Sequence, residues 1–285
     1  MIRIFPRSRL GRLGFLLLAL IGAAYLAAAA YMAINQRSFL YKPAPSWIAP
    51  ETQGIPRAEA IRLVSSPGDA LDGPELRGWF APPADERQPV YLYFHGNANG
   101  LDRRASRFRL LATGGAGFVA LSHRGYGGSE GAPSEAALHL DAERAYAALL
   151  RKGFSPERIV IFGESLGTGI ALNLARKVKA KAVILDSPYL SVLDRGQAEY
   201  PWLPVSWLLS DTFRSDLWIS EIKTPILILH GDADRVIPVG DSARLAAKAR
   251  NGNVIRKVYP GQPHVVPLDK GPMPDILAFL DGRLQ

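Results

Sequence analysis

The run Ile159-Val160-Ile161-Phe162-Gly163-Glu164-Ser165-Leu166-Gly167 decides how this chain is read. Residues 158–162 are apolar enough for a strand buried on both faces. Residues 166–178 carry a helical pattern. Between them, Gly163 and Gly167 stand two positions to either side of Ser165, which matches G-x-S-x-G in the strand–turn–helix context that gives the pattern its meaning. So tight a turn strains the serine backbone and admits only small residues two positions away. Ser165 Oγ then stands exposed at a helix N-terminus, whose partial positive charge favours a developing anion. Without that context the same pattern is a chance glycine turn.

A serine hydroxyl is a weak nucleophile and needs a base. Two histidines follow Ser165. His230 ends an apolar strand candidate and reads as structural. His264 lies in the loop Pro260-Gly261-Gln262-Pro263-His264-Val265, after the last strand candidate, and is the candidate general base and acid. Asp234, at a loop tip before Arg235-Val236-Ile237-Pro238, is the candidate third member. Its task is to hold the imidazole tautomer without taking the proton. Asp232 reads as a turn residue bonding its own backbone, and Asp186 is a further candidate. An oxyanion hole needs two backbone N–H groups. Leu166, directly after the serine, supplies one candidate. Asn97, in the loop His95-Gly96-Asn97-Ala98-Asn99-Gly100, supplies the other. The bland alternative for that loop is a glycine-rich turn into a helix. The glycines of Arg124-Gly125-Tyr126-Gly127-Gly128-Ser129-Glu130-Gly131 read as support for active-site loops. A phosphate-binding loop is disfavoured there, because there is no G-K-[ST] and no G-x-G-x-x-G opening a helix.

Working outward, strand candidates are 59–65, 75–81, 90–95, 117–122, 158–162, 182–186, 225–230 and 254–259. Helix candidates are 101–113, 134–152, 166–178, 240–250 and 273–281. Their alternation from residue 90 predicts an α/β domain, with a mostly parallel sheet covered by helices on both faces. The first two strands are expected to be antiparallel. Residues 38–58, with Pro43, Pro45, Pro50 and Pro56, read as an irregular lead-in. Segment 190–220 interrupts the alternation and reads as a lid or insertion. Its Trp202, Leu203 and Trp207 are candidates to cover an acyl pocket or touch a membrane. Ordinary core covering the sheet is the equal alternative.

Residues 13–34 carry no charge. A helix of that length reaches roughly 33 Å at about 1.5 Å per residue, enough for a hydrocarbon core of ~30 Å. The expected organisation is therefore a basic tail over 1–12, a transmembrane signal-anchor over 13–34, and one domain over 35–285. Arg3, Arg7, Arg9 and Arg12 precede any acidic residue, which puts the N-terminus in the cytoplasm and the domain outside it. The rival is a cleaved signal peptide using the small residues Ala27–Ala30. Half of the net charge of +8 sits in this tail, and no nucleic-acid motif follows it, so nucleic-acid binding is not expected. The chain has no cysteine, which excludes disulfides, thiolate catalysis and Cys-based zinc sites.

These features together resemble the membrane-anchored α/β-hydrolase-domain proteins, a family of serine hydrolases of bacteria and eukaryotes. The resemblance rests on the anchor and on Gln36-Arg37-Ser38-Phe39-Leu40-Tyr41-Lys42-Pro43. It continues through Phe94-His95-Gly96-Asn97-Ala98, residues 124–131 and Gly163-Glu164-Ser165-Leu166-Gly167. The last segments are Tyr200-Pro201-Trp202-Leu203-Pro204 and His230-Gly231-Asp232-Ala233-Asp234-Arg235-Val236-Ile237-Pro238. It implies the α/β-hydrolase fold and a Ser165–Asp234–His264 triad. It also implies hydrolysis of esters or thioesters, in some members lipid or protein-acyl substrates, with no metal or organic cofactor. Two departures stand out. The loop after Asn97 closes as Asn99-Gly100, and the usual polar residue behind the histidine is replaced by Val265-Val266-Pro267. A peptidase would use the same triad. A noncatalytic scaffold would usually have lost one of its members, and an epoxide hydrolase would need an aspartate at position 165.

Overall fold

The computed structural model describes residues 8–44, 46–65 and 71–284. Arg3, Arg7 and Pro45, which figured in the sequence expectations, lie outside the described residues, as does most of the 1–12 tail.

Eight strands form one sheet among the described residues: β1 (Glu59–Leu63), β2 (Leu76–Ala81), β3 (Val90–Phe94), β4 (Gly117–Leu121), β5 (Ile159–Glu164), β6 (Ala182–Asp186), β7 (Ile226–Gly231) and β8 (Val254–Tyr259). Their spatial order is β1-β2-β4-β3-β5-β6-β7-β8. The β1–β2 and β2–β4 pairs are antiparallel, and every later pairing is parallel. The continuous apolar runs of β3 to β7 follow from this placement. Each is buried along its whole length because helices cover both faces of the sheet. One face packs α3 (Glu135–Arg151) and α4 (Leu166–Ala175) over Leu92, Ile161 and Leu185. The other packs α2 (Ala105–Leu111) and the C-terminal α9 (Pro272–Leu280) over Tyr91, Phe162 and Leu229.

The helix–loop boundaries differ from the sequence expectation in three places. The 101–113 helix is broken into 3₁₀ turns around α2, with Gly114 in the left-handed region. The 190–220 insertion is three short helices, α5 (Val192–Glu199), α6 (Val205–Leu208) and α7 (Ser215–Trp218). The N-terminal helix α1 runs over Arg9–Leu40, so residues 38–40 are helix and not lead-in. Asn35, Gln36 and Arg37 end the apolar run, but nothing in them breaks a helix. The stop comes at Tyr41, whose backbone is extended, immediately before Lys42-Pro43. There the Lys42 N–H donates to the Asn97 carbonyl at 2.9 Å. The end of α1 is thereby tied to the loop after β3.

Candidate active site

Ser165 occupies the turn between β5 and α4 with φ 51° and ψ −118°, a conformation that L-residues rarely adopt. The flanking glycines are required by close backbone contact. A Cβ on Gly163 would lie 2.5 Å from the Gly167 carbonyl oxygen, and one on Gly167 would lie 2.1 Å from that of Phe94. The strain at Ser165 is held in place by backbone bonds. The Ser165 N–H donates to the Asp186 carbonyl at 2.9 Å, and the Ser165 carbonyl accepts from the Thr168 N–H.

Ser165, His264 and Asp234 lie on one hydrogen-bonded line. Ser165 Oγ is 2.9 Å from His264 Nε2, and His264 Nδ1 is 2.7 Å from Asp234 Oδ2. An ionised carboxylate only accepts, so Nδ1 carries the proton and Nε2 is left to accept from the serine. The other carboxylate oxygen accepts from the Val236 and Ile237 N–H groups, both at 2.8 Å. Burial pushes the Asp234 carboxyl up. Hydrogen bonds from His230, His264 and the Ile237 amide outweigh it and hold the carboxyl well below its ordinary value.

His230, read from sequence as structural, touches this line. It is fully buried, with Nε2 3.1 Å from Asp234 Oδ2 and 3.0 Å from the Ile237 carbonyl oxygen. The available signal was its spacing, four residues before Asp234 across a tight turn. Asp232 does not bond its own turn as expected. Its Oδ1 accepts from the Gly261 N–H at 2.6 Å, tying the β7 loop to the histidine loop. Asp186 lies under the site, ion-paired with Arg107 at 2.7 Å, and does not touch the imidazole.

The loop carrying Val265-Val266-Pro267 is fixed through its backbone. The Val265 N–H donates to Ser187 Oγ, and the Val266 N–H donates to Asp186 Oδ1. Arg107 donates to the Val266 carbonyl at 2.8 Å. Val265 itself sits at φ 59°, unusual for a β-branched residue. The polar side chain absent from this sequence is thus replaced by main-chain contacts to Asp186, Ser187 and Arg107.

Leu166 follows Ser165 in the chain, and Asn97 follows Gly96 in the loop after β3. A Cβ on Gly96 would come within 3.3 Å of the Ser165 Cβ, so the loop after β3 lies directly against the serine. Among the described residues neither the Asn97 nor the Leu166 N–H donates to a protein acceptor. The Asn97 side-chain amide instead donates to the Leu40 carbonyl at 2.9 Å, and the Asn97 backbone carbonyl accepts from Tyr126 OH at 2.7 Å. Tyr126, from the glycine-rich 124–131 run, therefore supports this loop.

Sequence reasoning missed a buried brace beneath the serine. Glu164 bonds Arg104, with Oε1 2.6 Å from Nη2, and accepts a short hydrogen bond from Tyr93 OH. Arg104 also donates to the Ala98 and Gly100 carbonyls, joining the serine turn to the Asn97 loop. Burial alone would raise the Glu164 carboxyl. The Arg104 and Arg107 charges, with hydrogen bonds from Arg104 and Tyr93, lower it to about 2. A glutamate inside an apolar run was the signal, since a charge so placed demands a partner.

Two cavities stand out, and the second is lined by Glu164 and Val265, next to the triad. One, of about 290 Å³, lies between the end of α1 and the 192–209 segment. The other, of about 630 Å³, is bounded by Arg103, Arg104, Arg107 and Val265. Of the expected lid residues, Leu203 lines the first cavity. Trp202 packs edge-on against Tyr25 of α1, with ring centroids 6.1 Å apart. Trp207 is almost fully exposed.

Residues 89–217 match the model of the alpha/beta hydrolase fold family, and residues 217–271 match one described as serine aminopeptidase, S33. The uncharacterized protein Rv2307c of Mycobacterium tuberculosis is 32% identical over 252 residues, covering 88% of this chain and 84% of that protein. The chain belongs to the α/β-hydrolase family. This α/β-hydrolase is also 32% identical over 203 residues to the lysophosphatidylserine lipase ABHD12 of Danio rerio. That match covers 62% of the chain and 53% of the relative, so the hydrolase spans about half of that protein's length. Among solved structures, an esterase of Pyrococcus furiosus superposes with a TM-score of 0.65 at 19% identity, covering 85% of this hydrolase and 96% of the esterase. An alpha-beta hydrolase of Vibrio vulnificus superposes at 0.64 with 23% identity, covering 79% and 81%. Both likenesses are of fold. The long apolar α1 adds to it a candidate membrane span.

Proposed function

We propose that this α/β-hydrolase cleaves carboxylic esters or thioesters through an acyl-enzyme on Ser165, acting on lipid or acyl substrates at a membrane. The observation that carries this is the unbroken line from Ser165 Oγ through His264 to Asp234, with spacings of 2.9 and 2.7 Å. His264 Nε2 takes the hydroxyl proton as Oγ attacks the acyl carbonyl. The carbonyl π electrons move onto oxygen, where the Asn97 and Leu166 N–H groups receive the negative charge. Collapse expels the alcohol or thiol, protonated by His264. A water then attacks the acyl-enzyme by the same route and regenerates Ser165. Asp234 keeps its charge and stabilises the imidazolium. The lipid assignment is supported by the lipase relatives and by the apolar helix beside the site. The basic residues before that helix support a cytoplasmic N-terminus with the domain on the other side.

The S33 match favours a second reading, a peptidase that trims amino termini. Such an enzyme needs a carboxylate free to bind the ammonium group. The carboxylates packed around Ser165, namely Glu164, Asp186 and Asp234, are engaged by Arg104, Arg107 and the two histidines, while Glu199 and Asp269 line the two cavities. The ester reading is preferred on the lipase relatives and the apolar lining of the first cavity. The test is hydrolysis of short p-nitrophenyl esters by wild type and Ser165→Ala. The variant should lose roughly a thousandfold or more in kcat. Equal rates would refute the assignment.

A further inference from the structure

We infer that the cleft between the last turns of α1 and the α5–α6 segment binds the acyl chain of a membrane lipid, which enters sideways from the bilayer. This rests on the acyl-hydrolase reading and names where its substrate is held.

The cleft of about 290 Å³ is walled by Met32, Phe39 and Leu40 from α1 and by Leu203, Val205 and Leu208 opposite. That volume lies at the small end of ligand pockets, as suits a single chain. A polar clasp holds the two walls together. Gln36 donates to the Leu208 carbonyl at 3.0 Å and accepts from the Ser210 N–H at 2.7 Å. Arg37 and Tyr41 both bond Asp211, at 3.1 and 2.9 Å. At Leu40 the cleft wall is tied to the loop after β3, since the Leu40 carbonyl accepts from the Asn97 side chain. That loop lies against Ser165, so the carbonyl end of the chain is assigned to this end of the cleft.

Depth fixes the outer end. Tyr25 OH donates to the Trp202 carbonyl at 3.1 Å. Tyr25 lies well inside the apolar run, nine residues before Ile34, or roughly 14 Å along the helix axis. With the run of 13–34 in the bilayer, the 200–208 turn lies alongside the helix below the membrane surface. This accounts for Trp207, 88% exposed, and Trp202, 51% exposed. Large exposed apolar rings are costly in water and are not so among lipid tails. The cleft then opens toward lipid tails, and a substrate chain reaches it without crossing water.

The test uses the full chain in vesicles with p-nitrophenyl esters from acetyl to dodecanoyl. The wild-type kcat/KM should rise by about fourfold per added methylene until the cleft is filled. Ala33→Phe and Leu208→Glu, which fill or charge it, should each lower the dodecanoyl-to-acetyl ratio at least tenfold. A phosphonate with a long alkyl chain ending in a diazirine should, once on Ser165, cross-link to residues 32–40 or 199–209. A long-chain ester in the enzyme's own bilayer should be cleaved faster than one in separate protein-free vesicles. Acetyl hydrolysis with unchanged ratios, or cross-links confined to 103–110 or 265–269, would overturn the cleft assignment and leave the hydrolase reading standing. Equal rates from the two vesicle populations would overturn entry from the bilayer. No hydrolysis of any ester by wild type would overturn the hydrolase reading, and this inference with it.

Discussion

At the scale of single residues, the site depends on a few positions with no alternative occupant. Gly167→Ala places a methyl group 2.1 Å from the Phe94 carbonyl oxygen, which no rotamer can relieve. We expect it to lower stability by about 3 kcal/mol or to prevent folding, read as a fall in the denaturant midpoint. His230 acts on Asp234 and not on substrate. Removing it in His230→Ala takes away one of the groups that hold the Asp234 carboxyl low. The carboxylate then titrates at higher pH. The expected result is a kcat about tenfold lower, with KM little changed and an acid limb moved upward in pH. A variant that lost stability but kept its pH profile would show a merely structural histidine. The serine, the aspartate and His264 were legible because each follows a strand at a fixed point in the order. His230 was not, because a buried histidine ending a strand reads the same with or without a carboxylate beside it.

At the scale of elements, the strands were the most legible part. A parallel strand covered on both faces is apolar along most of its length, and β3, β5, β6 and β7 are, with Glu164, Asp186 and His230 confined to the carboxyl ends that carry the site. Helix ends were less so. α1 outruns its apolar stretch because a membrane limit is not a helix limit, and the stop is set by Pro43 and the bond from Lys42 to Asn97. The 190–220 insertion announced itself by breaking the alternation, but its packing on α1 depends on tertiary bonds such as Arg37–Asp211, which no local pattern encodes. The loop after β3 and the serine turn belong to one unit, joined by Arg104 and Glu164. Arg104→Ala leaves Glu164 buried without its cation. A loss of about 3–5 kcal/mol is expected, by the cost of orphaning a buried charge. Arg104→Lys should restore part of the stability and less of the activity, since a lysine cannot bond Glu164 and the two loop carbonyls together. Thermal unfolding and ester hydrolysis measured on the same samples separate the two effects.

At the scale of the whole molecule, stability should depend on pH through buried neutral histidines. Burial lowers His123 to about 4 and His139 to about 3, and pushes His95 well below its usual range. In the unfolded chain a histidine takes a proton near pH 6.5. Below that pH the unfolded state therefore binds protons that the folded state refuses, and stability falls as pH falls. For His123 the loss runs from about pH 6.5 down to about 4, at about 1.4 kcal/mol per pH unit, or roughly 3 kcal/mol in all. The denaturant midpoint should drop steadily across that window, and a flat profile would contradict the burial of these rings. The stacked His95–His123 pair lies directly behind the Asn97 loop, with ring centroids 3.7 Å apart. Acid should therefore disturb the Asn97 loop, read as a shift of its amide resonances across the same pH window.

Ser165 as the nucleophile, activated by His264, is the central proposal. Its most direct test is a fluorophosphonate probe applied to wild type, Ser165→Ala and His264→Ala, with the adduct located by peptide mass. The predicted result is a single adduct on Ser165, absent from Ser165→Ala and formed at least a hundredfold more slowly in His264→Ala. An adduct on another residue, or equal labelling of all three proteins, would contradict it.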